Sequence, residues 1–250
     1  MSMTYKTRGI VLRTVKYGET SLVATIFTRR FGVQAYIING VRTEKKRGAG
    51  AVMLQPGAIL EMEVYHHPQK SMNRIRECNR GYIFQHVFIH IIKHSIALYM
   101  LELMYKTLKQ PEENHDLFDF CEDALMQLDA SEGTVTANFS LYFSLHLAYF
   151  FGLSIRDNQT NTNGKTKNYL DLLNGNFTNE LPPHPHFMEG EPAAITSEML
   201  KVMQPAEMEF IKLNRQTRRF LLQKYLEFYT LHIPEFGQMK TLRVLQEVLD

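Results

Sequence analysis

Cysteine is scarce in this sequence: Cys78 and Cys121 are the two among 250 residues. Two thiols are too few for a disulfide scaffold or for a four-cysteine metal site. They fit a pair of reduced thiols in a reducing cytoplasm. A long uninterrupted apolar run is missing too. The best candidate, "IFQHVFIHIIKHSIALYMLELMY" at 83–105, is broken by three histidines and Lys93. It reads as a buried helix and not as a membrane span. The start, "MSMTYKTRGI", holds no apolar core of the signal-peptide type, so a cytoplasmic location without membrane attachment is expected.

Catalytic motifs are missing as well. "NTNGKT" has the Gly-Lys-Thr end of a phosphate loop, but the required glycine five residues before Gly164 is Gln159. There is no G-x-S-x-G elbow, no H-E-x-x-H and no dinucleotide fingerprint. No repeat of fixed period appears. A non-enzymatic protein is expected.

Charge is present, and it is unevenly placed. Residues 1–80 carry 14 Lys+Arg against 5 Asp+Glu, a balance of +9. Residues 81–250 carry 14 against 21, a balance of −7. The overall formal charge of +2 hides this division. A basic piece joined to an acidic one points to a polyanion-binding module.

Periodicity changes at the same place. "KTRGIVLRTVKYG", "TSLVATIFT", "VQAYIING", "AILEMEVYHH" and "SMNRIREC" are short extended runs separated by Gly, Pro and charged turns. Five strands in this length predict a small barrel, of OB-fold or SH3 type. Beyond residue 80 helical spacing takes over. Ile83, Val87, Ile91, Ala97, Met100 and Met104 predict one long helix. "HDLFDFCEDALMQLD", the nearly all-apolar "TANFSLYFSLHLAYFFG", "ITSEMLKVMQ", "MEFIKLNRQTRRFLLQKYLEFYTLHI" and "MKTLRVLQEVL" predict further helices. The polar stretch at about 153–168 reads as a loop, and "PPHPHF" cannot be helical. The expected class is α+β: an N-terminal small β-barrel at 1–80 followed by an all-α helical domain at 81–250.

Two clusters in the helical part invite chemistry. His86, His90 and His94 recur every four residues. A pair at that spacing can share a metal, but the third histidine would lie about 12 Å from the first along a helix. No carboxylate or cysteine is spaced to complete a site, so a polar stripe on a buried helix is the simpler reading. Arg215, Arg218 and Arg219 fall on one helix face, and Lys240 with Arg243 repeats the spacing. Such a face fits carboxylates or phosphates, or is a solvated surface.

The basic N-terminal piece interleaves its cations with Tyr17, Phe27, Phe31, Tyr36 and Tyr65. Some of these rings fill a barrel core, and exposed ones can stack on unpaired bases while Lys and Arg track phosphates. No base-reading element is evident, which predicts binding without sequence specificity.

"TRGIVLRTVKYGETSLVATIFTRRFGVQAYIINGVR", continued by "AVMLQPGAILEMEVYHH", resembles the N-terminus of the bacterial RecO recombination mediators. The closing "YLEFYTLHIPEFGQMKTLRVLQEVL" resembles the last helix of that family. The resemblance implies an OB-fold, a helical C-terminal domain and no catalysis. It implies binding to single- and double-stranded DNA and annealing of complementary strands. It further implies that the protein, with RecR, loads RecA onto DNA coated by single-strand-binding protein (SSB), and that it is nucleoid-associated during repair. Matching positions for DNA are Arg8, Arg13, Tyr17, Arg29, Arg30 and Arg42, with Lys45, Lys46 and Arg47 in the basic loop "NGVRTEKKRG". For the acidic tail of SSB the expected contacts are Arg215, Arg218, Arg219 and Lys240. Many family members carry a four-cysteine zinc site after the core helix. Here that region has no cysteine, so no zinc and no other cofactor is expected. The competing expectation is an adaptor whose basic barrel binds an acidic protein partner.

Overall fold

A computed structural model describes residues 4–39, 53–109, 111–156 and 168–248. The chain forms two compact units, Met1–Asp129 and Ala130–Asp250. The change from strand to helix falls between Arg80 and Ile91, whereas the unit that holds the barrel runs on to Asp129.

The first unit has the five expected strands: β1 (Thr4–Tyr17), β2 (Ser21–Thr28), β3 (Gly32–Ile38), β4 (Ile59–Tyr65) and β5 (Asn73–Arg80). They close into a barrel in the order β1-β2-β3-β5-β4, with β3 and β5 parallel and the other pairs antiparallel. This is the order of an OB-fold. Val11, Ala24, Ile26, Tyr36, Leu60, Met62 and Val64 fill its interior. The alternation slips at a bulge between Val11 and Arg13, which re-aims the rest of β1. Gly32 opens β3 with φ +61, and a Cβ there would collide with the backbone of Glu112. The Phe-Gly turn is therefore fixed by backbone sign and by close approach.

Two helices complete this unit, α1 (Ile91–Thr107) and α2 (His115–Ala130). Helix α1 begins later than the apolar spacing from Ile83 predicts. The Asp129 carboxylate accepts the backbone N–H groups of Gln85, His86 and Val87 at 2.8, 2.7 and 2.8 Å. That anchor holds the segment in turns. Burial raises the Asp129 pKa, but the three amides outweigh it and hold the group below its ordinary value. His86 is thus not helical, and His90 is only the residue before α1. The expected three-histidine helix stripe does not exist.

The second unit is built on α3 (Gly133–Tyr149), which is apolar nearly all round and buried along most of its length. Around it pack α4 (Glu191–Lys201), a 3₁₀ turn (Pro205–Phe210) and α5 (Arg215–His232). Helix α6 (Thr241–Val248) follows. The single long helix expected through "MEFIKLNRQTRRF" is broken, because the Asn214 side chain accepts the Thr217 N–H at 2.9 Å and starts a new helix. The helical part also holds a small sheet that the sequence reading did not anticipate. Strand β6 (Tyr169–Asp171) lies between β7 (Asn176–Thr178) and β8 (Phe187–Glu189). Among the described residues, no helix is long and apolar enough to cross a membrane. No group of three or more His, Cys, Asp or Glu among them is gathered to hold a metal.

Candidate nucleic-acid interface

The outside of the barrel has two sides. On one, helices of the same unit cover the strands. Phe27 of β2 meets Phe118 of α2 with ring centroids 5.4 Å apart, and both rings are buried. Burying two such rings supplies about 3–6 kcal/mol. Arg8 and Arg29 sit at this covered side, and α2 holds them. Arg29 gives Nε and Nη2 to the two oxygens of Asp119, at 2.7 and 2.9 Å. This bidentate pair pulls the Asp119 pKa down. Arg8 Nη1 meets Glu122 Oε2 at 2.8 Å. Burial raises the Glu122 pKa, and Arg8 opposes that rise. Arg30 lies over the Tyr5 and Phe31 rings, at 4.7 and 5.5 Å. Arg8, Arg29 and Arg30 line one cleft of about 1200 Å³ together with several carboxylates.

Among the described residues, the other side is bare. Beyond the bulge, Arg13, Val15 and Tyr17 alternate onto one face of β1. Val15 is 41% exposed and Tyr17 49%. The register carries a row across the barrel: Val15 opposite Val23, Val23 opposite Ile37, Ile37 beside Arg74, and Arg74 opposite Tyr65. Arg74 is exposed, and Tyr65 is 37% exposed. Arg13 stands at the border, with Nη1 on the Tyr105 hydroxyl at 2.9 Å and its guanidinium 5.0 Å from that ring. The row offers apolar contact flanked by two cations and two aromatic rings, the combination that accepts unpaired bases and their phosphates.

The expected site residues therefore divide. Arg13 and Tyr17 share the bare face, while Arg8, Arg29 and Arg30 share the cleft. Arg42, Lys45, Lys46 and Arg47 lie outside the described residues. Of the five interleaved aromatics, Phe27 and Tyr36 are core, and Phe31 stacks on His66 at 3.9 Å. Arg74 was not anticipated. Its place follows from β5 crossing to pair with β3, which the OB-fold strand order would have supplied.

In the second unit, Arg215, Arg218 and Arg219 line one small cavity with Leu222 and Leu245. Lys240 is not among its lining residues. Arg218 Nη1 donates to the Leu213 carbonyl at 2.5 Å, and burial lowers its pKa.

The N-terminal part of the chain, residues 1–82, matches the family model described as "Recombination protein O N terminal", and residues 90–242 match "Recombination protein O C terminal". The chain belongs to the RecO family. Its relatives include proteins named "DNA repair protein RecO" from Bacteroides fragilis and Phocaeicola vulgatus, each 30% identical. The alignments cover 99% and 98% of this chain and 100% and 99% of those proteins. A third, from Christiangramia forsetii, is 28% identical over 98% of this chain and 99% of its own. Both RecO segments lie where the barrel and the helices lie, so the expected class, OB-fold barrel then helices, is what the chain has.

Proposed function

We propose that this RecO-family chain is a non-enzymatic DNA repair protein that binds single- and double-stranded DNA without sequence specificity. It anneals complementary strands and, with RecR, helps load RecA onto SSB-coated DNA in the cytoplasm. The observation that carries the DNA part is the bare barrel face, with Arg13, Arg74, Tyr17 and Tyr65 around Val15, Val23 and Ile37. Strand annealing needs bases held loosely and phosphates neutralised. Aliphatic contact with few hydrogen-bonding groups meets the first need, and arginines at the rim meet the second.

Arg42, Lys45, Lys46 and Arg47 are proposed as further phosphate contacts. Binding of the full chain to fluorescent single-stranded DNA over a salt series should give a log–log slope of several phosphates. Replacing Arg42, Lys45, Lys46 and Arg47 with Ala should flatten it. An unchanged slope removes the loop from the site.

For the acidic tail of SSB we place the contact at the cavity of Arg215, Arg218 and Arg219, where cations border Leu222 and Leu245. Lys240 is assigned a peripheral role there. A chain with Arg218→Ala and Arg219→Ala should lose affinity for an SSB tail peptide, and normal binding would remove this placement. The adaptor alternative is separated by a pull-down of partners before and after nuclease treatment. Capture that depends on nucleic acid supports DNA binding, and capture indifferent to nuclease supports the adaptor.

A further inference from the structure

Arg13 has a partner outside the barrel. The β1 bulge leaves Val11 and Leu12 both buried and turns Arg13 outward. On that side α1 lies against β1. Arg13 Nη1 donates to the Tyr105 hydroxyl at 2.9 Å, and its guanidinium carbon is 5.0 Å from the centre of the Tyr105 ring. The hydrogen bond and the cation–π contact together hold a long, rotamer-rich side chain in one place. Only one of the five guanidinium N–H groups is spent on the hydroxyl, so the fixed cation keeps donors for a phosphate.

Tyr105 is 42% exposed, while its neighbours Leu101, Leu103, Met104 and Thr107 are buried. An exposed tyrosine by itself is ordinary. This one adjoins the face on which Arg13, Val15 and Tyr17 alternate. It also occupies the last turn of α1, the negative end of the helix dipole. A phosphate is disfavoured at that end and favoured at Arg13 beside it. An exposed ring next to a fixed cation suits one nucleotide, with the base on the ring and the phosphate at the guanidinium.

We propose that Tyr105 gives this surface a preference for single strands: its ring stacks on an unpaired base, and its hydroxyl positions Arg13 for the adjoining phosphate. The DNA path thereby leaves the barrel and continues onto α1. A duplex keeps its base faces inside its own stack and offers Tyr105 only backbone and edges. The ring therefore adds affinity for unpaired DNA and almost none for paired DNA. This role rests on the DNA-binding reading of the barrel face and adds strand selectivity to it.

The test is binding of the full chain to a fluorescent single-stranded oligonucleotide and to the blunt duplex of the same sequence. Tyr105→Leu should weaken single-strand binding about tenfold and duplex binding less than about twofold. Tyr105→Phe keeps the ring and should retain most of the single-strand affinity. Equal losses on both DNAs would overturn the proposal, because Tyr105 would then merely hold Arg13. No loss on either would overturn it too. Arg13→Ala with Arg74→Ala separates the two levels. If that double variant binds single strands like the parent, the barrel face and the stacking role fall together. If it binds weakly while Tyr105→Leu binds normally, the stacking role alone falls. The chain has no tryptophan, so Tyr105→Trp supplies a single reporter that does not depend on the leucine variant folding. Its emission should be quenched by bound single strand and nearly unchanged by bound duplex. Unquenched emission in the single-strand complex would contradict stacking at this position.

Discussion

Arg8 and Arg13 stand on the same strand, one on each side of its bulge. Arg8 faces α2 and gives its charge to Glu122. Arg13 faces outward beside Val15 and Tyr17, and its neighbours are a tyrosine hydroxyl and ring. Arg29 and Arg74 repeat the contrast on β2 and β5, the first bound bidentately by Asp119 and the second at the end of an exposed cross-strand row. One residue type on one small barrel thus has two settings. Against α2, arginine is clamped by carboxylates. Away from α2, it meets only a tyrosine, as Arg13 does, or stands exposed, as Arg74 does. Sequence position alone does not separate the two, because the bulge and the helix decide it.

The comparison can be broken first through the cover itself. Phe118→Ala should cost about 3–5 kcal/mol by opening a cavity against Phe27. Asp129→Ala should cost about 3 kcal/mol, because three backbone N–H groups lose their acceptor. Chemical denaturation measures both. Either variant behaving like a surface substitution would mean that the cover is not structural.

Smaller effects come from the clamps. Arg8→Ala should cost about 1–2 kcal/mol, since Glu122 is buried while Arg8 is partly exposed. The Glu122 folded pKa is raised. Its contribution is therefore full below the ordinary glutamate value and is lost as pH rises through the folded one. Without Arg8 that loss should deepen, and Glu122→Gln in the same chain should restore the midpoint at neutral pH. Asp119 behaves with the opposite sign. Its folded pKa is depressed, so its contribution is present above the ordinary value of 3.8 and fades as pH falls through the folded value. Asp119→Asn should make acid destabilisation shallower. The smallest expected effect is none: treatment with a zinc chelator should leave the unfolding midpoint unchanged, and a drop would reveal a metal site.

Much of the barrel was legible. β-branched runs between turn signals gave all five strands, and the Phe-Gly turn marked the start of β3. What was not legible depends on distant residues. The late start of α1 is set by Asp129, and nothing near Ile83 announces it. The strands of the small sheet are three residues each, too short for alternation to speak. The family resemblance marks Arg8 and Arg29 as DNA contacts, and nothing in β1 or β2 announces that carboxylates hold them. Their partners arrive from α2. Arg74 escaped notice because β5 meets β3 only through the closed topology.

The central claim is that the bare face, and not the clamped arginines, meets DNA. The direct measurement is the salt dependence of single-stranded DNA binding for two double variants. Arg13→Ala with Arg74→Ala should reduce the log–log slope by about two and weaken binding. Arg8→Ala with Arg29→Ala should leave the slope as in the parent while lowering stability. The reverse pattern, a slope lost with Arg8 and Arg29 and kept without Arg13 and Arg74, would contradict the account.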